Sequence, residues 1–333
     1  RKQFVTINGA RSEEQDKTCD APQGSILGPN LYEDYTACPL GDIFRKHGIL
    51  YHMYADDTQA YLPFPINQET SLERLIICLH EVRQWMAANW LKLNDNKTEF
   101  VIFGSQKNLK DLTTQSITLG DAVIPVSESL KSIGATLDNN LNMDKQIAAM
   151  CKAAWYSLHK ISKIRKFLTS DQTKTIVHAY VTSRLDQNNS LLLGQPQKAL
   201  RKLQMVQNAS ARLITGTKKR DHITPFLIQL HWLPIKSRIL FKVLLLVFKC
   251  LHGKGPAYLT DMLVPYVPTR NLRSAYEQRL CVPECHYADS RRRAFSIRGP
   301  SEWNKLPLDV KSCTTVDTFK KCLKTHLFKL AYH

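Results

Sequence analysis

The chain has 333 residues, of which 43% are hydrophobic, and a net charge of +17; it exceeds one ordinary domain and can bury a large core, which excludes a disordered polypeptide. Its nine cysteines fall in no disulfide framework and follow no secretory leader, so reduced thiols in the cytosol or nucleus are expected rather than secretion. The most apolar run, residues 239–251, is too short and too charged (Lys242, Lys249) to span a bilayer.

The charge is unevenly placed. Residues 1–140 hold 13 Lys and Arg against 18 Asp and Glu, a net of −5; residues 141–333 hold 33 against 11, a net of +22. An acidic head and a basic body suit a polyanion held across a carboxylate site, although a solvated basic surface gives the same count.

The chain opens at Arg1, without an initiator Met, on the alternating stretch Gln3-Phe4-Val5-Thr6-Ile7. Asn8-Gly9 then signals a hairpin turn. Opening in mid-strand suggests a piece of a longer protein. Pro22-Gln23-Gly24-Ser25 begins a loop that closes at Pro29, and a helix is expected over residues 31–44. Gly24 leaves room for a base pair or sugar to approach the backbone. Glu33 and Asp34 fall in that helix, where burying them would be costly.

Tyr54-Ala55-Asp56-Asp57 is flanked by strand formers, which predicts a hairpin with both acids at or beside its turn. Adjacent carboxylates repel, so the pair suits a cation. Mg²⁺ takes oxygen ligands, commonly one or two carboxylates with substrate phosphates. For the dipeptide alone, a solvated turn is the better explanation, and only the neighbouring blocks reverse that preference.

Leu72, Leu75, Ile76, Leu79, Val82 and Met86 recur at three- and four-residue steps and predict a helix over 69–90. Residues 100–103 read as a buried strand, and residues 117–137 as two short strands. From 141 to 216 the pattern is helical. Ile147, Cys151, Ala154, Leu158 and Ile161 line one face, and two more helices carry Ile176, Val177, Tyr180 and Val181, then Leu200, Leu203, Val206 and Leu213. Beyond 216, Lys218-Lys219-Arg220 and Arg291-Arg292-Arg293 are basic clusters. Trp232 and Trp303 sit in Pro-bounded turns as core anchors, and a final amphipathic helix is expected over 316–330. Cys281, Cys285 and His286 hint at a zinc adaptor, but no second pair follows at zinc spacing.

Three blocks carry a resemblance: Ala21-Pro22-Gln23-Gly24-Ser25-Ile26-Leu27-Gly28-Pro29, then Tyr54-Ala55-Asp56-Asp57, then Trp90-Leu91-Lys92-Leu93-Asn94-Asp95-Asn96-Lys97-Thr98-Glu99. In that order they resemble the palm of a reverse transcriptase, and more narrowly that of jockey-like non-LTR (LINE) retrotransposons. The likeness continues through Val181-Thr182-Ser183-Arg184-Leu185-Asp186, His231-Trp232-Leu233-Pro234 and Pro300-Ser301-Glu302-Trp303-Asn304. Gln187-Asn188-Asn189 departs from the aromatic and Cys pair usual there.

The resemblance implies an α+β fold: a partial palm over 1–140, a helical thumb over 141–216 and a basic, mostly helical C-terminal region over 217–333. It implies RNA-directed DNA synthesis, with Asp56 and Asp57 as ligands for Mg²⁺, or Mn²⁺ in its place, and Lys97 acting on the nucleotide phosphates. Pro22, Gln23, Gly24, Ser25, Tyr54 and Ala55 would contact template and incoming nucleotide, and Ser132-Ile133-Gly134 would belong to the primer grip. The partners implied are an RNA template, a DNA primer and deoxynucleoside triphosphates, with no membrane. In the family a further palm Asp precedes the residue matching Arg1, so the chain by itself is expected to be inactive. The alternative expectation is a catalytically dead, nucleic-acid-binding remnant of a decayed element.

Overall fold

A computed structural model describes residues 2–16, 30, 32–65, 69–112, 114–268, 277–285 and 292–332. The fold is α+β, with helices predominating and five two-stranded sheets among the described residues. The chain divides into two compact units, Arg1–Leu130 and Lys131–His333. No helix among the described residues is long and apolar enough to cross a membrane.

In the first unit, β1 (Lys2–Gln3) pairs with β4 (Gln15–Asp16), and β2 (Thr6–Ile7) with β3 (Ala10–Arg11). Asn8 and Gly9 both take positive φ between β2 and β3, as a type I′ hairpin requires. The helix expected over 31–44 begins as a π-turn, Glu33–Ala37, and continues as α1 (Cys38–Lys46). Glu33 and Asp34 face solvent, so the burial cost that their sequence position suggested is not incurred.

Next come β5 (Leu50–Tyr54), β6 (Asp57–Tyr61) and α2 (Glu69–Ala88). The predicted apolar stripe of α2 does face inward: Leu75, Val82 and the unforeseen Cys78 join Leu40, Ile43, Phe44 and Ile49 in one core. Lys46 Nζ and His47 Nε2, each 2.7 Å from a Glu81 oxygen, tie the end of α1 to α2.

Two strand expectations are corrected. Residues 100–103 do not form a strand, because their pairing is a single bridge from Phe100 to Val126. The neighbouring strand ends at Pro125, which has no N–H with which to extend a ladder. Residues 117–137 form two hairpins rather than two strands. The first joins β7 (Ser116–Leu119) to β8 (Ala122–Pro125), and the second joins β9 (Ser129–Ser132) to β10 (Ala135–Asp138).

The second unit is built on α3 (Asp144–Ile164), α4 (Ser170–Val177), α5 (Gln197–Thr215), α6 (Ile235–Leu251), α7 (Phe295–Asn304) and α8 (Val316–Tyr332). A full capping box between Thr169 and Gln172 starts α4. Ile147, Ala154, Leu158 and Ile161 are buried as predicted, and so are Val177, Val181, Leu200, Leu203 and Val206; Tyr180 instead lies 60% exposed.

The same core takes in Leu227, Trp232, Ile235 and Ile239, so the regions expected as thumb and C-terminal segment share their interior. Trp303 anchors a second core with Phe248, Phe319, Leu323 and Leu327, and its indole N–H donates to the Gln278 carbonyl at 2.8 Å. Leu330, near the end of α8, is exposed. Cys281 is exposed, and His286 lies outside the described residues, among which no three groups are placed to hold a metal.

Candidate active site

The β5–β6 hairpin is the frame of the site. Its five residue pairs run from Leu50↔Tyr61 to Tyr54↔Asp57, leaving Ala55 and Asp56 as a two-residue turn. Strand alternation turns Tyr51 and Met53 toward the core and His52 and Tyr54 outward. Tyr51 stacks on Phe44 of α1 at 5.2 Å and accepts a hydrogen bond from Arg45, which fixes the base of the hairpin. The His52 and Tyr61 rings stack at 5.5 Å on the outer face.

Ala55 takes φ +52° while Asp56 keeps a negative φ, the sign pattern of a type II′ turn. Glycine ordinarily fills that first position, so alanine there is strained by about 1–2 kcal/mol. The turn presents Asp56 at its tip and Asp57 at the first rung of β6, both exposed and neither in an ion pair among the described residues. Tyr32, half-buried where the segment before α1 enters the fold, has its phenol pKa raised first by burial and then by the charge of Asp56. The backbone strain lies beside two uncompensated acids, a placement typical of a working site. Ala55→Gly should therefore leave the hairpin intact and raise stability by about 0.5 kcal/mol, the relief of strain slightly exceeding the added backbone entropy. A thermal melt in which the variant is less stable than the parent would remove the strain argument.

Lys97 ends a 3₁₀ turn, Asp95–Lys97, and is exposed. Its turn is pinned by Arg83 of α2, which donates to Asp95 at 3.2 and 3.4 Å and to the Leu119 carbonyl at 2.6 Å. No hydrogen bond or ion pair among the described residues joins Lys97 to Asp56 or Asp57. Pro22, Gln23, Gly24 and Ser25 lie outside the described residues.

In the second unit, Ile133 and Gly134 of the expected primer-grip segment both take positive φ at the turn between β9 and β10. Asn188 donates to the Ile133 carbonyl at 3.3 Å, and the Gln187 amide lies against Gly134. Gln187 and Asn188, two of the three residues that depart from the expected pattern, therefore support this turn. Arg83, Asn188 and Tyr32 were not foreseen, because each acts on a residue remote in sequence.

The donor set suits a hard divalent cation, since two acceptor-only carboxylates on adjacent residues are exposed without a protein counter-charge. Residues 1–137 match the reverse transcriptase (RNA-dependent DNA polymerase) family. The match covers less than half of the chain, and the proteins similar to it are named as polymerases of mobile elements. Three Drosophila melanogaster proteins are similar to this chain.

The RNA-directed DNA polymerase from mobile element jockey is 28% identical over 45% of this chain and 16% of its own length. The probable polymerases from transposon X-element and transposon BS are 24% and 26% identical, each over 65% of this chain and 24% of their own lengths. The chain thus spans at most about a quarter of these relatives, and the latter two matches continue past residue 137 into the helical unit. No solved structure matches the chain.

Proposed function

We propose that the first unit contributes the metal-binding palm of an RNA-directed DNA polymerase and that the second unit holds its nucleic acid. Asp56 and Asp57 hold Mg²⁺, with Mn²⁺ as a substitute. When bound, a pair of such ions lowers the pKa of a primer 3′-hydroxyl and stabilises the departing pyrophosphate.

The chain's own part is positioning. The five-pair ladder and the fixed turn hold both carboxylates in one place, and phosphoryl-type transfer depends mainly on position and charge. Lys97, on a turn braced by Arg83, supplies a cation for the leaving phosphates. Pro22, Gln23, Gly24, Ser25, Tyr54 and Ala55 contact template and incoming deoxynucleotide. The RNA template and DNA primer lie against the basic second unit, and the compartment is the cytosol or nucleus. The observation that carries this reading is the pair of exposed, unpaired carboxylates at a strained hairpin turn within the family-matched residues.

The test is Mn²⁺ relaxation. Stoichiometric Mn²⁺ should broaden the amide resonances of residues 54–58 in the parent chain and leave them sharp in Asp56→Asn with Asp57→Asn. Equal broadening in both would end the assignment. The alternative of a catalytically dead remnant is tested separately, by asking whether the isolated chain extends a DNA primer on an RNA template. Extension that vanishes in Asp56→Asn would place a complete catalytic site within these 333 residues.

A further inference from the structure

The helix α3 has two faces of opposite character. One buries Ile147, Ala154, Leu158 and Ile161 in the core of the second unit. The other carries Lys152, Trp155, Tyr156, Lys160 and Lys163, all exposed, and the 3₁₀ turn that follows α3, Arg165–Phe167, adds Lys166 and Phe167 beyond its end. Trp155 is 43% exposed, Tyr156 62% and Phe167 75%. Two large exposed rings on a helix and a third on the turn that ends it call for an explanation that scattered exposed residues do not.

The rings are interleaved with charge. Lys160 Nζ lies 4.4 Å from the centre of the Tyr156 ring, and Lys166 Nζ lies 4.8 Å from that of Phe167. Each pair sets a cation beside an aromatic surface within the reach of one nucleotide. The end of this surface is held firmly: Arg165 turns inward and donates to the carbonyls of Leu168, Leu213 and Ile214 at 2.8, 2.8 and 3.1 Å. The one acid of α3 is Asp144, at its start, and α5, which packs against α3, has no acidic residue while contributing Lys198, Arg201 and Lys202.

We propose that this face of α3, with the turn that follows it, docks single-stranded nucleic acid, its rings stacking on unpaired bases and its lysines meeting the phosphates. A duplex satisfies the lysines but hides its base faces, leaving all three rings unused. Stacking on unpaired bases uses both features and is tolerant of sequence. A second copy of the chain would bring like charges together on the same surface, which disfavours self-association there. The inference rests on the reading that the second unit holds nucleic acid, and it specifies strandedness and residues within it.

The experiment is fluorescence anisotropy with labelled 15-mers: oligo(U), oligo(dT) and a duplex of equal length. The triple variant Trp155→Ala, Tyr156→Ala, Phe167→Ala should bind both single strands at least tenfold more weakly than the parent and the duplex within about twofold. Replacing Lys152, Lys160, Lys163 and Lys166 by Gln should weaken all three and flatten the salt dependence. In the parent chain, oligo(U) should quench indole fluorescence by an amount that Trp155→Phe removes, a readout that does not depend on the triple variant folding.

Unchanged single-strand affinity in the triple variant, an equal loss on duplex, or quenching that survives Trp155→Phe would overturn the inference while leaving nucleic-acid binding in place. A parent chain that binds no oligonucleotide, or that prefers phosphatidylserine vesicles, would overturn both.

Discussion

Phe319→Ala is expected to destabilise the second unit by about 3–5 kcal/mol, the range for removing a buried phenyl ring without collapse of the site. Phe319 is fully buried on α8, stacked on Phe248 of α6 at 4.1 Å and 14° and tilted against Trp303 of α7 at 6.0 Å. The ring therefore joins three helices, and the surrounding side chains cannot follow its loss without breaking a second contact. Gly299 shows how little slack there is, since a Cβ there would lie 3.2 Å from Val247 of α6. A domain stable by about 5–15 kcal/mol would lose a third or more of its margin.

The measurement is the urea midpoint, with Phe167→Ala as the control. Phe167 is exposed, and its truncation should change stability by less than about 0.5 kcal/mol. Equal shifts for the two variants would mean that the core has been misplaced.

Much of this architecture was legible because helical periodicity survives in the sequence. The buried faces of α2 and α3 follow from residue spacing, and the Asn8-Gly9 turn follows from backbone preference. The acids at 56 and 57 were legible as a candidate site because the two groups are neighbours in the chain. Residues 100–103 misled because an apolar run shows that a segment is buried but not whether a strand lies beside it.

Tyr180, Trp155 and Tyr156 fit either face of a helix by composition, and only packing shows which side stays open. Arg83 escaped notice for a different reason. Its partners Asp95 and Leu119 lie on separate elements, and nothing local to the helix marks it apart from any solvated arginine. The strained φ of Ala55 and of Ile133 was likewise invisible, since both residues ordinarily avoid positive φ.

Asp186 and Arg238 give the second large effect. Arg238 donates through Nε to Asp186 Oδ1 at 2.9 Å and through a terminal nitrogen to the other oxygen, while Asn189 adds a third donor at 3.1 Å. The pair joins the turn after the π-segment 178–182 to α6, across the position where thumb and C-terminal region were expected to separate. Arg238 is 18% exposed and Asp186 28%, so Asp186→Ala leaves a largely buried guanidinium without its partner. The expected cost is about 3 kcal/mol, the lower end for breaking a buried pair because water reaches part of it. Arg238→Met added to Asp186→Ala should recover about half, since the stranded charge is then gone.

His178 makes the effect depend on pH. Burial, then Arg238 and Lys174, hold its pKa below the usual 6.5, and Asp186 opposes them. The unfolded chain therefore takes up that proton first on acidification. Stability falls as pH drops below about 6.5 and continues to fall until the folded imidazole also protonates. Removing Asp186 lowers the folded pKa further, so the variant should lose stability over a wider acid range than the parent.

Urea unfolding at pH 7.5 and 5.5, followed by indole fluorescence and circular dichroism, measures both terms. A loss below 1 kcal/mol at pH 7.5 would show that the pair is solvated and does not join the two regions. Hydrogen exchange in which residues 141–216 open separately from residues 217–251 in the parent chain would show that the shared core is wrong.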